Sequence, residues 1–223
     1  METVADFVKF TSQTAARDKL SRAAQYASKL VGYICTQRKV DPELASRIKK
    51  IEVTFSTSRK TFRLGKSLDM ILGAVKGSQI QDPLIRICVV VARLSRSIYF
   101  VYDILNWCCR VSLMKGSSKE YATRAAPFWL VAVIFCLLRD LYEIINYVLR
   151  AQAKQKTPTV QDCVTQRPDI AVDTLKNMAD FAIPLKIWGK IDISDGIVGA
   201  LGLISSICGI LAILSPQYKL TPM

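Results

Sequence analysis

Along most of the chain, large apolar residues recur at three- and four-residue steps, which predicts helices. Residues 7–36 carry Leu20, Ala23, Ala27, Leu30, Val31 and Ile34 in this spacing, with Arg17, Lys19, Arg22 and Lys29 elsewhere on the wheel. Asp41-Pro42-Glu43 then reads as a helix start. Asp41 can cap, Pro42 suits the first helical position, and Glu43 faces the positive end of the helix dipole. The helix it opens carries a stripe of Leu44, Ile48, Ile51, Phe55, Ser58 and Phe62, spaced 4-3-4-3-4. Ile51, Val53 and Phe55 alternate like a strand, and Val53, Thr54 and Thr57 are weak helix formers. The longer stripe favours helix.

Further along, residues 84–113 form an apolar helical zone interrupted by Arg86, Arg93, Arg96 and Asp103. Charges so placed oppose a free-standing span, since each costs about 2.5–3.5 kcal/mol at mid-bilayer on insertion scales. A turn is expected at 112–122. Ala125 to Leu138 is uncharged, a length that suits a core helix, an interfacial segment or a re-entrant one. Arg139 follows, spaced to pair with Glu143. Residues 151–173 are polar, contain two prolines and read as a linker, followed by a short amphipathic piece from Leu175 to Leu185.

The segment Ile197 to Leu214 has 18 uncharged residues, roughly 27 Å of helix and enough to cross a hydrocarbon core. Gly202 with Ser206, and Ser205 with Gly209, place small residues one turn apart where another helix can approach. The fold class is all-α: an amphipathic helical N-terminal region with a C-terminal transmembrane helix. A further embedded helix or hairpin is left open within 84–105 or 125–147. The expected division is a basic cytosolic region at 1–122, a second apolar helix at 123–150, the linker at 151–173, and an amphipathic segment with the span 197–214 inside 174–223.

Charge sharpens this picture. The chain is 51% hydrophobic with a net charge of +13. Residues 1–127 hold 22 Lys/Arg against 10 Asp/Glu while the rest holds 9 against 8, so the basic surface belongs to the N-terminal half. A basic, apolar chain suits an anionic surface. There is no histidine, which removes His-dependent acid–base chemistry, Ser-His and Cys-His nucleophile pairs and the usual zinc sites. The seven cysteines are scattered without CxxC spacing and read as reduced thiols in a cytosol-facing protein. The glycines at 196–209 lie in an apolar span, not between a strand and a helix, so they form no phosphate loop. No enzymatic activity, cofactor or metal is expected. Glu2 and Asp6 stand where a signal peptide would be basic.

The stretch Arg47–Lys66 concentrates Arg47, Lys49, Lys50, Arg59, Lys60, Arg63 and Lys66 against one acid, Glu52. Nucleic acid would need a reading element beside the basic face, and the chain offers none. A coiled-coil seam would need more heptads. Two readings remain: a helix burying its stripe in its own core, and a membrane-surface helix. Each base near an anionic leaflet contributes about 1 kcal/mol, and the terminal span puts the helix beside a bilayer. The second reading is preferred. Leu44, Ile48, Ile51, Phe55 and Phe62 would form the membrane-binding face and the seven bases the anionic-lipid contacts.

Several stretches resemble the peroxin-11 family of peroxisomal membrane proteins, in its animal alpha/beta type. They are FVKFTSQTAARDKLSRAAQYASKL at 7–30, SRKTFRLGKSLD at 58–69, RLSRSIYFVYDILNW at 93–107, RDLYEI at 139–144, NMADFAIPLKIWG at 177–189 and GIVGALGLISSICGILAILSP at 196–216. The linker is shorter than in some members and lacks their glycine-rich insertion. The resemblance implies a protein of the peroxisomal membrane, its N-terminal region in the cytosol, that elongates the membrane before division. It implies self-association into homo-oligomers and recruitment of tail-anchored fission adaptors and a dynamin-like GTPase. It also implies insertion of the amphipathic helix into one anionic leaflet, on the match at Ser58-Arg59-Lys60 and Phe62-Arg63-Leu64-Gly65. A pore for small metabolites is the alternative; Arg86, Arg93, Arg96, Arg139 and Asp140 would then line a polar path. Self-association through Gly202, Ser205, Ser206 and Gly209 would gather many wedges in one place.

Overall fold

The computed structural model describes residues 10–153 and 160–220, and its regular elements there are all helical. They are α1 (Thr14–Gln37), α2 (Pro42–Thr61), α3 (Lys66–Gly77), α4 (Pro83–Arg110), α5 (Ser118–Gln152), α6 (Val160–Gln166), α7 (Pro168–Trp188) and α8 (Asp195–Leu214), then a 3-10 turn at Pro216–Tyr218. Residues 7–9 of the first expected helix lie outside the described residues.

Local chemistry sets several of the boundaries. Asp41 accepts a hydrogen bond from the Glu43 N–H at 3.0 Å, and Pro42 occupies the first turn of α2. Asp82 accepts from the N–H groups of Leu84 and Ile85 at 2.9 and 3.0 Å and from the Tyr142 hydroxyl at 2.8 Å. Those bonds, the Ile85 N–H foremost, hold its carboxyl below the usual carboxylate range. Ser194 caps α8 by accepting from the Ile197 N–H.

Four boundaries depart from expectation, the first being that α1, expected from residue 7, starts at Thr14 after an extended Gln13. The stripe through Phe62 is not one helix: α2 stops at Thr61, and Gly65, at φ +79°, turns the chain into α3. The turn at 112–122 is shorter, because α5 begins at Ser118. The expected linker holds α6 and the start of α7. Pro168 begins a helix there instead of breaking one, and Ile170 on its first turn is fully buried.

Six helices close a ring in the order α1, α2, α4, α5, α7, α8 and back to α1. The α2–α4 contact is the sparsest, and α3 sits outside the ring on α4. The α8–α1 contact is a close one. The two helices run antiparallel, with Gly196 facing Tyr33, Gly199 facing Leu30, Gly202 facing Tyr26 and Gly209 facing Lys19. A methyl group on Gly199 would lie 2.8 Å from the Leu30 backbone nitrogen, and one on Gly202 2.3 Å from the Tyr26 ring. Gly202, Ser205, Ser206 and Gly209 are all buried within the chain. The small-residue face therefore packs a helix of the same molecule and is not open to a second copy. The basic N-terminal helix and the apolar C-terminal one belong to one bundle.

Gly199→Leu should destabilise the chain by about 1–3 kcal/mol through overpacking against backbone that cannot yield. Thermal unfolding of the full chain in neutral detergent measures this. An unchanged midpoint would mean that α1 and α8 do not touch.

Candidate functional site: a charged interior in an apolar shell

In α1, Asp18, Arg22, Gln25 and Tyr26 fall at three- and four-residue steps and face inward. In and just after α2, Glu52, Ser56, Arg59, Lys60 and Arg63 do the same, as do Arg96, Tyr99, Phe100, Asp103 and Asn106 in α4. With Trp129 of α5 and Lys176 and Asp180 of α7 they surround a cavity of about 490 Å³.

The ion pairs there tie the ring together. Arg22 donates to Asp180 at 2.5 Å and to the Ser205 hydroxyl at 3.1 Å, joining α1 to α7 and α8. Its guanidinium also lies 5.3 Å from the Tyr26 ring centroid and 6.0 Å from that of Trp129. Asp18 accepts from Arg59 at 3.2 Å and from Arg63 at 2.9 Å. Asp103 accepts from Lys60 and, at 3.4 Å, from Arg63, so the end of α2 is held to α1 and α4 together. Near the other end, Lys29 lies 3.2 Å from Glu52 and 3.4 Å from Asp195. A separate cluster fastens α5 to α7: Arg139 donates to Asp140 at 2.6 Å and to Asp173, and Asn177 donates to Asp140 at 2.7 Å. Arg139 thus pairs with these aspartates and not with Glu143, which lies 3.8 Å from Arg167.

The outside is the reverse. Exposed apolar residues form stripes on helix after helix: Leu68, Leu72 and Val75 on α3; Ile87, Leu94, Ile98 and Val101 on α4; Leu138, Leu141, Ile145 and Leu149 on α5. Leu175, Met178 and Phe181 continue the pattern on α7, and Ile197, Ile204, Ile207, Leu211 and Leu214 on α8. Water-soluble monomers rarely expose apolar area on that scale. Among the described residues α8 alone is long and apolar enough to cross a bilayer by itself. Its outward stripe is one of five.

The expected lipid-contact residues divide. Leu44 and Ile51 are exposed, while Ile48, Phe55 and Phe62 are half-buried, Ile48 packing over Gly32 of α1. Arg47, Lys49 and Lys50 are exposed. Arg59, Lys60 and Arg63 point the other way, into the ion-pair network, and Lys66 lines the cavity. Arg59, Lys60 and Arg63 are thus engaged by acids of this chain. The reading in which α2 buries its apolar stripe and shows its bases to solvent is inverted at this half of the helix. Of the expected polar-path residues, Arg96 lines the cavity, Arg86 is exposed, and Arg139 and Asp140 belong to the α5–α7 cluster. The acids Asp18, Asp103 and Asp180 were missed as site residues. Their signal was present, since a lone acid inside an apolar helix needs a cationic partner. Among the described residues no group of His, Cys, Asp or Glu is arranged to hold a metal ion.

Helices with charge inside and hydrocarbon outside define the class: a helical bundle built like a membrane protein, around a polar centre. Residues 4–214 match the family model of peroxisomal biogenesis factor 11 (PEX11), and the chain belongs to that family. It is 34% identical to peroxisomal membrane protein 11A of Homo sapiens, across 96% of this chain and 98% of that one. It is 28% identical to peroxisomal membrane protein 11B of Pongo abelii, across 97% and 99%. To peroxisomal membrane protein PMP30A of Candida boidinii it is 29% identical, across 93% and 92%. No solved structure matches the chain. The family and the all-α class agree with the expectation from sequence.

Removing one partner of a buried ion pair leaves a bare charge, costing about 3–5 kcal/mol, whereas replacing both with apolar groups of similar size is often neutral or stabilising. Asp180→Ala should therefore lower stability severely, and the double variant Arg22→Met/Asp180→Leu should recover most of the loss. A double-mutant cycle by thermal unfolding measures it.

Proposed function

We propose that this chain is a protein of the peroxisomal membrane that draws the membrane out before division, by seating the tip of the α1–α2 hairpin in the cytosolic leaflet. The observation that carries the reading is the surface of that tip. Val31, Ile34, Leu44 and Ile51 are exposed there, and the Ile48–Gly32 contact puts the two segments at the same end of the hairpin. Arg38, Lys39 and Lys50 are exposed beside them and, among the described residues, have no acid partner. Apolar side chains flanked by free cations suit the boundary between headgroups and acyl chains. Inserted on one side only, such a tip expands that leaflet and favours positive curvature. The N-terminal region faces the cytosol in this arrangement.

One tip bends a membrane little, so the action depends on many copies. Since α1 occupies the small-residue face of α8, homo-oligomers would meet through outward stripes such as Ile197, Ile204, Ile207 and Leu211. Tail-anchored adaptors and a dynamin-like GTPase would then act on the drawn-out membrane. The family membership, and the names its relatives carry, support the membrane and the process.

A second reading, passage of small solutes through the bundle, is favoured by the charged cavity. In that reading the outward stripes face lipid and the polar centre is the path.

Leu44→Glu/Ile51→Glu should abolish tubulation of anionic liposomes by the reconstituted full chain while leaving its helical dichroism intact. Unaltered tubules would sink the hairpin-tip reading. For passage, Ala122→Trp narrows the cavity that residue lines and should slow release of a small trapped carboxylate from proteoliposomes. Equal release by both proteins would exclude the path.

A further inference from the structure

We propose that the cavity inside the ring is a binding site for a multivalent phosphate-bearing anion, held chiefly by Lys19, Lys66 and Arg96. This goes beyond both functional readings and depends on neither.

The inference starts from unbalanced charge. Nine Lys and Arg side chains line the cavity against four acids, and those acids are already engaged. Asp18 is taken by Arg59 and Arg63, Asp103 by Lys60 and Arg63, Asp180 by Arg22, and Glu52 by Lys29 and Lys49. Of the remaining cations, Lys176 pairs with Asp173 and Arg110 donates to the hydroxyls of Ser56 and Thr57. Lys19, Lys66 and Arg96 have neither an ion pair nor a side-chain hydrogen bond among the described residues, although each lines the cavity and none is fully exposed. Burial weighs first on the two lysine ammonium groups, and the acids nearby, Asp18 and Asp180, are shared with other bases. Asp18 attracts the Lys66 ammonium while Arg63 and Arg96 repel it, and Arg22 and Lys176 repel that of Lys19 more than Asp180 and Asp18 attract it.

Unpaired cations gathered in a partly desolvated space are costly unless an anion joins them. One chloride would answer a single charge. A phosphate group carries about two charges with several acceptor oxygens, and a multivalent one can reach guanidinium and ammonium donors that line one cavity from three helices. The cavity volume of about 490 Å³ falls in the usual range of small-molecule sites, about 300–1,000 Å³. The three cations come from α1, α3 and α4, so an anion between them would also hold α3, which otherwise packs on α4, to the ring.

The test uses the full chain in neutral detergent, with inorganic pyrophosphate as the probe at constant ionic strength. Pyrophosphate should raise the thermal midpoint and bind measurably by calorimetry. Lys66→Gln/Arg96→Gln should weaken that binding about tenfold or more, as expected when charge-assisted hydrogen bonds are lost. Without the probe, the same variant should be at least as stable as the parent, because two charges without an ion pair have been taken out of a partly desolvated space. Lys66→Arg/Arg96→Lys, which keeps both charges, should retain binding and guards against loss through misfolding. Arg38→Gln/Lys39→Gln/Lys50→Gln, on the hairpin tip, should bind like the parent. Displacement of pyrophosphate by a short-chain phosphoinositide assigns the phosphate to a lipid headgroup, and no displacement assigns it to a free anion. No midpoint rise beyond that given by chloride would overturn the proposal, and so would binding that only the tip variant loses.

Discussion

The bundle rests on one requirement: an acid drawn into its interior must meet a cation there. Moving a carboxylate or guanidinium out of water costs several kcal/mol per ion even after relaxation, and only close, well-oriented partners offset that cost. Asp18, Asp103 and Asp180 meet it with bases from other segments: Arg59 and Arg63, Lys60 and Arg63, and Arg22. Each pair spans an interface between elements. Tertiary arrangement and charge balance are therefore coupled in this molecule, and parting α1 from α2, or α2 from α4, would strand ions in the interior. The glycines of α8 serve the same end, since only a close approach of α1 puts Arg22 within reach of both Asp180 and Ser205.

Once the ionic groups are turned inward, the outer surface follows. Many long apolar side chains of α3, α4, α5, α7 and α8 are left on the outside and coat it. In water that coat would be a liability; against lipid it is the ordinary state of a membrane helix. Pro127 and Pro184 inside α5 and α7 are also at home in such a setting. A family of peroxisomal biogenesis factors is the natural place for a protein so built. At the hairpin tip, exposed apolar residues stand beside the exposed Arg38, Lys39 and Lys50.

Much was legible along the chain because it is local. The start of α2 is written in Asp41 and Pro42, and the apolar run of α8 is written in its composition. The steps of three and four residues identify helices whatever surrounds them. Local rules failed where a residue's meaning depends on its neighbours. Pro168 read as a breaker because nothing nearby marks Ile170 as buried or Asp173 as the partner of Arg139. Arg139 itself has Glu143 one turn away but bonds Asp173, 34 residues on.

The sequence by itself determined the all-helical class and the longer helices, the basic bias of the N-terminal half, the apolar terminal helix and, through several matching stretches, the family. The tertiary structure decided which side of each amphipathic helix faces in. An apolar stripe reads the same whether it meets a protein core or lipid, since both remove it from water. Arg59 and Arg63 therefore looked like surface bases until Asp18, 41 and 45 residues away, came within hydrogen-bonding distance. Pairings of that range leave no periodic trace in a chain. They exist only once helices distant in sequence are packed together.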